Sequence, residues 1–422
     1  MQQPHVIIVG AGIAGLFMAR ELSPHAVVHV LEAQERIGGR IHTMDVDGVV
    51  VERGAEFIHG NLQATLALVR EAGLGTVPVT GEMYRYKSGR LEQESVMDPH
   101  WDLLLAKMEG LDEDMTLAHF LEHFFSAAEY ESLRAQAVSF AGGFDLADAS
   151  QVSVWSLSRE WSAPEETNYR ITRGYGALVS FLEESLKSAG VLFHTGDAVS
   201  VVEMDGEKLR LVTKAGRSYT ADKLVVTVPA GVLRKGAIHF PPSMEPRLSL
   251  MDGIATGAVI RFVFGFRREC WPSDAMFLFS DEAVPTWWPS LKGNHFQLVG
   301  WAGDVKAKML HQLTEEGQLA AARVSLCVLL GLSADELDAL VVFSLVADWT
   351  DSPWSAGGYS YATPGSETAK RMINDAHPGL VWFAGESYSG SEHPGTVESA
   401  ILHAQEIAAK LLSGIRKGRE SA

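Results

Sequence analysis

The chain opens on an unbroken apolar run, His5-Val6-Ile7-Ile8-Val9, short and β-branched in the manner of a strand buried on both faces. Glycines interrupt it, and from Ile13 to Leu22 apolar residues return at helical spacing before a second strand-like run, Val27 to Leu31, that ends at Glu32. Gly48-Val49-Val50-Val51-Glu52 predicts another strand, which breaks at Gly54 and Gly60 into a loop and a helical run from Leu62 to Ala72. Between Asp98 and Phe140 the pattern is helical, with Leu104, Leu105, Met108 and Leu111, then Leu117, Phe120, Leu121 and Phe124 on recurring faces. From Val199 to Val228 the period changes to two. Asp205-Gly206 and Ala215-Gly216 punctuate a small β-meander there, which returns to a core strand and stops at Pro229. Ile254 to Phe266 predicts one longer strand, with Met276 to Phe279, Phe296 to Trp301 and Leu340 to Val346 as partners in its sheet and Thr314 to Leu330 as a helix upon it. Leu380 to Ala384 is a last buried strand. Val397, Ala400, Ile401, Ala404, Ile407, Ala408 and Leu411 trace one stripe of a closing helix.

The first turn carries the chemistry. Gly10-Ala11-Gly12-Ile13-Ala14-Gly15 lies between a strand and a helix, where unpaired amides at a helix N-terminus receive phosphate. Glu32, at the end of the second strand and about 20 residues downstream, is placed to hold a ribose hydroxyl and would repel a 2'-phosphate. NAD and FAD both fit that turn. The following segment, Glu32-Ala33-Gln34-Glu35-Arg36-Ile37-Gly38-Gly39-Arg40, favours FAD: its glycines let the backbone approach the cofactor, and Arg40 offers a forked cation to the pyrophosphate. No second GxGxxG occurs, since Gly174-Tyr175-Gly176 lacks the third glycine and a preceding strand. One nucleotide site speaks against a reductase fed by NADPH.

The expected fold is therefore α/β, a Rossmann-like FAD-binding domain with an interleaved α+β substrate domain, a mixed sheet flanked by helices. Residues 1–75, 190–235 and 350–422 are assigned to the first and residues 76–189 and 236–349 to the second. The formal net charge of -18 repels nucleic acid and anionic membrane, and agrees with a cationic ligand. No stretch approaches the ~20 apolar residues of a membrane span. The N-terminus lacks the pattern of a signal peptide, which gives a cytoplasmic expectation. Cys270 and Cys327 are far apart and in no CxxC, so neither a disulfide framework nor a metal site is implied.

With these motifs in order, the chain resembles the flavin-containing amine oxidases, the family of monoamine oxidases, polyamine oxidases and lysine-specific histone demethylases. The resemblance runs from residue 5 to about residue 412 and rests on five blocks: the glycine turn through Arg40, Glu52 to Gly60, Ala221 to Pro229, Trp349 to Tyr361, and Phe383 to Leu412. It implies that Gly10, Gly12, Gly15 and Glu32 hold the dinucleotide, and that Arg40 and the backbone around Gly54, Ala55 and Glu56 line the flavin. It further implies that Val199 touches adenine and Glu386 holds the ribityl and phosphate region. The amides near Thr396 and Val397 would face the pyrimidine side of the ring. Trp349, Trp354 and Tyr359 resemble the family's tryptophan pair and the tyrosine that walls the substrate amine, and His59 sits where polyamine oxidases place a polar residue close to substrate. Trp287 and Trp288 are further wall candidates, with core packing as their alternative.

Three positions depart from the family pattern. Gly358 stands where some relatives link flavin through cysteine, so the FAD is expected to be noncovalent. Thr396 replaces the second wall aromatic. Arg261 stands where a lysine usually holds a water against flavin N5; it is expected to orient a water, or a substrate carboxylate, without acting as a base.

By this resemblance a small-molecule amine, including polyamine-like amines, gives hydride from its α-carbon to flavin N5, and dioxygen reoxidises the cofactor with release of imine and hydrogen peroxide. Two alternatives remain: an L-amino-acid oxidase or flavin desaturase acting on a C-C bond, with Arg261 binding a carboxylate, and a non-catalytic FAD-binding protein. The subunit number is not legible.

Overall fold

The computed structural model describes residues 3–93, 97–163, 166–290, 293–375, 379–390 and 393–420. At its centre lies a five-stranded parallel sheet in the order Leu192–His194, Val27–Leu31, His5–Val9, Lys223–Val226, Val381–Phe383. Its strands come from the beginning, middle and end of the chain, as the apolar runs predict. Val6, Ile7 and Ile8 are fully buried because helices cover one face and the meander Val199–Asp205, Lys208–Thr213, Ser218–Ala221 the other. The helix Ile13–Leu22 and the closing helix Val397–Glu420 pack together on the first face.

The second sheet has seven strands, in the order Val341–Asp348, Val259–Phe266, Phe296–Gly303, Thr286–Pro289, Ala275–Phe279, Glu82–Lys87, Arg90–Gln93. It is mixed: Ala275–Phe279 runs parallel to Glu82–Lys87, whereas the other neighbours are antiparallel. Glu315–Leu330 and Ala334–Leu340 bury Ala322, Leu326, Leu329 and Leu337 against it. The helices between Trp101 and Trp161 form a separate core around Leu104, Phe120 and Leu133.

The structure corrects three expectations. Ile254 to Phe266 is not one strand: Ile254–Thr256 pairs with Ser360–Ala362, and only Val259–Phe266 enters the large sheet. The break falls at Gly257, whose amide donates to Tyr359 O and whose carbonyl accepts from Gly358 N, both at 2.9 Å. A β-carbon there would meet Leu146 at 2.2 Å, so only glycine lets the three segments converge. Secondly, the helix Gly176–Ser188, expected in the substrate domain, buries Leu178, Val179, Leu182 and Leu186 in the same core as Val6 and Ile8. Its N-terminus is fixed by the distant hairpin of Thr43–Val46 and Val49–Glu52, with Tyr175 N donating to Glu52 at 2.6 Å and Gly176 N to Thr43 at 2.7 Å. Thirdly, Thr286–Pro289 and the hairpin Glu82–Gln93 are strands that the apolar pattern did not single out, the hairpin because Glu82-Met83-Tyr84-Arg85-Tyr86-Lys87 alternates charge with aromatics at an open edge. Among the described residues no single helix is long and apolar enough to cross a membrane.

Candidate active site

One cavity of about 1760 Å³ runs from Gly10, Gly12, Glu32 and Val199, past Arg40, Glu386 and Thr396, to His59, Tyr359, Arg261 and Trp288. Single small-ligand sites run to roughly 300–1,000 Å³, so this one has room for a dinucleotide with a substrate beside it. Of the cofactor and catalytic residues expected from the sequence, all but Gly15 line it, Gly54, Ala55, Glu56, Trp349, Trp354 and Val397 among them, and Gly15 packs against Gly10 and Thr227.

The glycine turn fits a pyrophosphate. Gly12 is the N-cap of the first helix and provides no side chain to occupy its free amides; a β-carbon on it would meet nothing within 4 Å. Gly10 has φ 105°, and a β-carbon on Gly15 would stand 2.0 Å from Gly10 O. Glu32 accepts from Ala11 N at 2.7 Å and Gln34 N at 2.9 Å, which fixes its carboxylate at the strand end with acceptor capacity to spare. Burial raises its pKa, against the pull of those amides.

Further along, Arg40 Nη1 donates to Glu386 at 2.6 Å and to Gly358 O at 2.7 Å. Burial alone would raise the Glu386 carboxyl, but Arg40 and the hydroxyls of Ser360 and Ser387 outweigh it and hold the group below the usual range. The pair is thus ionic and spans the two ends of the chain. Trp349 donates to Arg53 O at 2.8 Å, while Trp354 carries Lys214 over its ring at 5.1 Å. Both indoles are fixed by their own partners and present one edge or face to the cavity.

Thr396 is where the sequence places it, with a more definite duty. Its hydroxyl donates to His393 O at 2.7 Å and accepts from Ser399 N at 3.1 Å, capping the closing helix at the cavity wall. Behind it His403, buried, accepts from Gly385 N through Nδ1 at 3.2 Å. That bond requires a neutral ring. Burial pushes the His403 pKa down to about 4, with Lys410 and Lys370 adding to the effect and Glu406 opposing it. The folded pKa lies below the unfolded value near 6.5, so the stabilisation is complete above that pH and is lost as pH falls from there toward 4. At 1.36 kcal/mol per unit the loss reaches about 3 kcal/mol. Melting temperature against pH is therefore expected to fall in acid less steeply in His403→Gln than in the wild type; parallel curves would contradict the assignment.

At the far end the structure revises the picture of Arg261. It lies on the strand Val259–Phe266 with a side chain 2% exposed; its guanidinium pairs with Glu56, donates to Gly54 O at 3.2 Å and lies over Trp288 at 5.5 Å. Glu56, expected to contribute backbone only, is a buried hub that also accepts from Arg170 at 2.6 Å, Ser290 at 2.8 Å and Trp288 at 3.0 Å. Burial would raise its carboxyl, yet Arg261 and Arg170 hold it down at about 2. Within the Arg261 guanidinium, Nε has no hydrogen-bond partner among the described residues. The fork expected to hold a water or a substrate carboxylate is thus engaged by protein. Trp287 is corrected too: it is fully buried, donates to Val284 O at 2.9 Å and belongs to the sheet's own core, whereas its neighbour Trp288 lines the cavity. Adjacent strand residues point to opposite faces.

His59 and Tyr359 both face the open space. The His59 ring meets Phe144 edge-on at 6.0 Å, and burial lowers its pKa against the opposing effect of a hydrogen bond that the ring donates to Asn168. Tyr359 donates its hydroxyl to Phe144 O, and Gly395 lies so close that a β-carbon there would meet the ring at 2.8 Å. Arg170, Ser290, Phe144 and His403 were not read from the sequence, where no local motif marks them.

The sequence model of the family described as flavin containing amine oxidoreductase matches residues 13–412. The chain belongs to that family. It is a flavoprotein, and FAD is its cofactor. The chain is similar to lysine-specific histone demethylase 1B of Mus musculus, 27% identical over 96% of this chain and 52% of that protein. It is likewise similar to probable polyamine oxidase 4 of Arabidopsis thaliana, 27% identical over 95% of this chain and 85% of the other. It spans about half the length of the demethylases it matches. Among solved structures, a putrescine oxidase bound to putrescine superposes with TM-score 0.81 at 22% identity, covering 97% of this chain and 99% of the other. Cyclohexylamine oxidase from Brevibacterium oxydans does so with TM-score 0.80 at 20% identity, covering 98% and 100%. These likenesses bear on the fold.

Proposed function

We propose that the protein is an oxidase of small-molecule amines, polyamine-like amines among them, with dioxygen as the electron acceptor. The observation that carries this reading is the cavity itself, continuous from a phosphate-binding turn to an aromatic pocket that ends at Tyr359, Trp288 and Phe144. When bound, FAD would supply a two-electron acceptor for the conversion of the amine to an imine, with dioxygen taking up the electrons as hydrogen peroxide.

The residues of the chain do the rest. The amides at Gly12 and the Arg40–Glu386 pair would hold the dinucleotide. The FAD is held noncovalently: Gly358 offers no thiol, and both cysteines pack in the second sheet's core, away from the cavity. Thr396 fixes the N-terminus of the closing helix, whose partial positive charge favours an electron-rich group by ~0.3 to 1 kcal/mol. An alkylamine with a pKa near 10.4 costs about 4 to 5 kcal/mol to deprotonate at neutral pH. The rings of Tyr359, Trp288 and Phe144 exclude water and so lower that cost.

The commitment of Arg261 to Glu56 favours amines over amino acids, since it removes the free cation that a substrate carboxylate would need. Peroxide formation measured on a panel of alkylamines, diamines and L-amino acids tests the reading. Peroxide with amines and none with amino acids is expected; the reverse pattern would overturn it.

A further inference from the structure

The helix Gln63–Glu71 begins without a cap of its own. Leu62 stands at its N-cap, where a side-chain oxygen is favoured, and no acidic residue follows in the first turn. The adjacent Asn61 uses its side-chain oxygen on Gln63 Nε2 at 2.6 Å. The free amides are met from 333 residues further along the chain: Glu398 accepts from Ala64 N at 2.9 Å, from Thr65 N at 2.7 Å and from the Thr65 hydroxyl at 2.7 Å. Glu398 is 3% exposed and Thr65 is fully buried. Every one of these contacts donates to Glu398, as suits an acceptor-only carboxylate, and among the described residues no lysine, arginine or histidine forms an ion pair with it.

Both sides of this clamp stand on the cavity. Asn61 and Leu62, at the entry to the capped helix, line it; so do Thr396, Val397 and Ala400 at the start of the closing helix, in whose first turn Glu398 lies. Behind them Leu62, Leu68, Ile401 and Ala404 share one core. The carboxylate therefore sits at two helix N-termini at once. Each N-terminus carries about half an elementary charge, so the two together offset the single negative charge of Glu398. Its counter-charge is made of backbone.

We propose that Glu398 is a positioning residue of the cofactor site, which ties these two walls together and through its charge lowers the reduction potential of the FAD. Without the carboxylate the two N-termini would leave about one unit of positive charge uncompensated beside the cavity, and the electron-rich reduced cofactor would be held more tightly than the oxidised form. With it, the chain gives up driving force for taking electrons in and gains driving force for passing them on. The inference rests on FAD in the cavity and is independent of which substrate is oxidised.

The test is a redox titration of the holoenzyme, read from the flavin absorbance. Glu398→Gln keeps an acceptor for Thr65 and loses the charge; it is expected to raise the ratio of reduced to oxidised flavin at a fixed applied potential by about tenfold, ~30 mV for a two-electron couple. Glu398→Asp keeps the charge but draws it back from Ala64 and Thr65, so it is expected to melt at a lower temperature than the wild type and to leave the ratio unchanged. An unchanged ratio in Glu398→Gln, or an equal rise in both variants as a merely loosened wall would give, overturns the proposal. Where Glu398→Gln does not keep its flavin, Glu398→Asp decides alone: an unshifted ratio upholds the role of the charge, and a rise of about tenfold overturns it.

Discussion

Replacing Gly15 by valine is expected to yield protein without flavin. A β-carbon at this position would lie 2.0 Å from Gly10 O and 3.0 Å from Thr227 Oγ1, the hydroxyl that already bonds to Val9 O and Gly10 O. The helix Ile13–Leu22 must then lift off the sheet and carry its free amides away from the phosphate position. Overpacking of this kind costs roughly 1–3 kcal/mol or more, and FAD affinity is expected to fall by about 100-fold at the upper end of that range. Gly12→Ala separates binding from folding. The chain leaves open space at that position, so this variant should melt like the wild type yet hold FAD less tightly, its methyl group occupying the path of the phosphate. Flavin retention after gel filtration, compared with melting temperature, distinguishes the two. Equal retention in Gly15→Val and the wild type would remove the turn from the cofactor site.

Glu56→Ala carries the second large effect, and here the loss is in stability first. The substitution strips Arg261 and Arg170 of their shared carboxylate and leaves Trp288 Nε1 and Ser290 Oγ without an acceptor. Removing one partner from a buried ion network costs about 3–5 kcal/mol, which for a chain of 422 residues lowers the melting temperature by about 3–6 °C. Adding Arg261→Met to Glu56→Ala is expected to recover part of this, because a buried cation without a counter-ion is worse than an apolar side chain of similar length. If the double variant is no more stable than Glu56→Ala, the pair is not the hub that its geometry indicates.

The same network shows where sequence reasoning reaches its limit. Strands, helices and the nucleotide turn were legible because each is written locally, in runs of apolar residues, in a period, or in glycines at fixed offsets. Glu56 and Arg261 are 205 residues apart, and nothing near either position announces the other. An arginine in place of a family lysine therefore looked like a free cation, when a glutamate on another segment had already claimed it. Trp287 and Trp288 are a milder case: the alternation of a strand sends one ring into the core and one into the cavity, but which is which depends on the register with Phe296–Gly303. The helix Gly176–Ser188 has a readable apolar face, while the sheet it covers is decided by the hairpin that grips its first turn. Gly257 looked like one residue of a continuous strand, because the neighbour that forces the break, Leu146, belongs to a distant segment.

All of this depends on an FAD lying along the cavity between the two ends of the chain. The most direct test is to purify the protein, determine its flavin content, and precipitate it with acid. The account predicts a yellow protein with stoichiometric FAD, all of it released to the supernatant and none left on the polypeptide. A colourless protein that takes up no FAD, or flavin that stays attached to the precipitate, would contradict it.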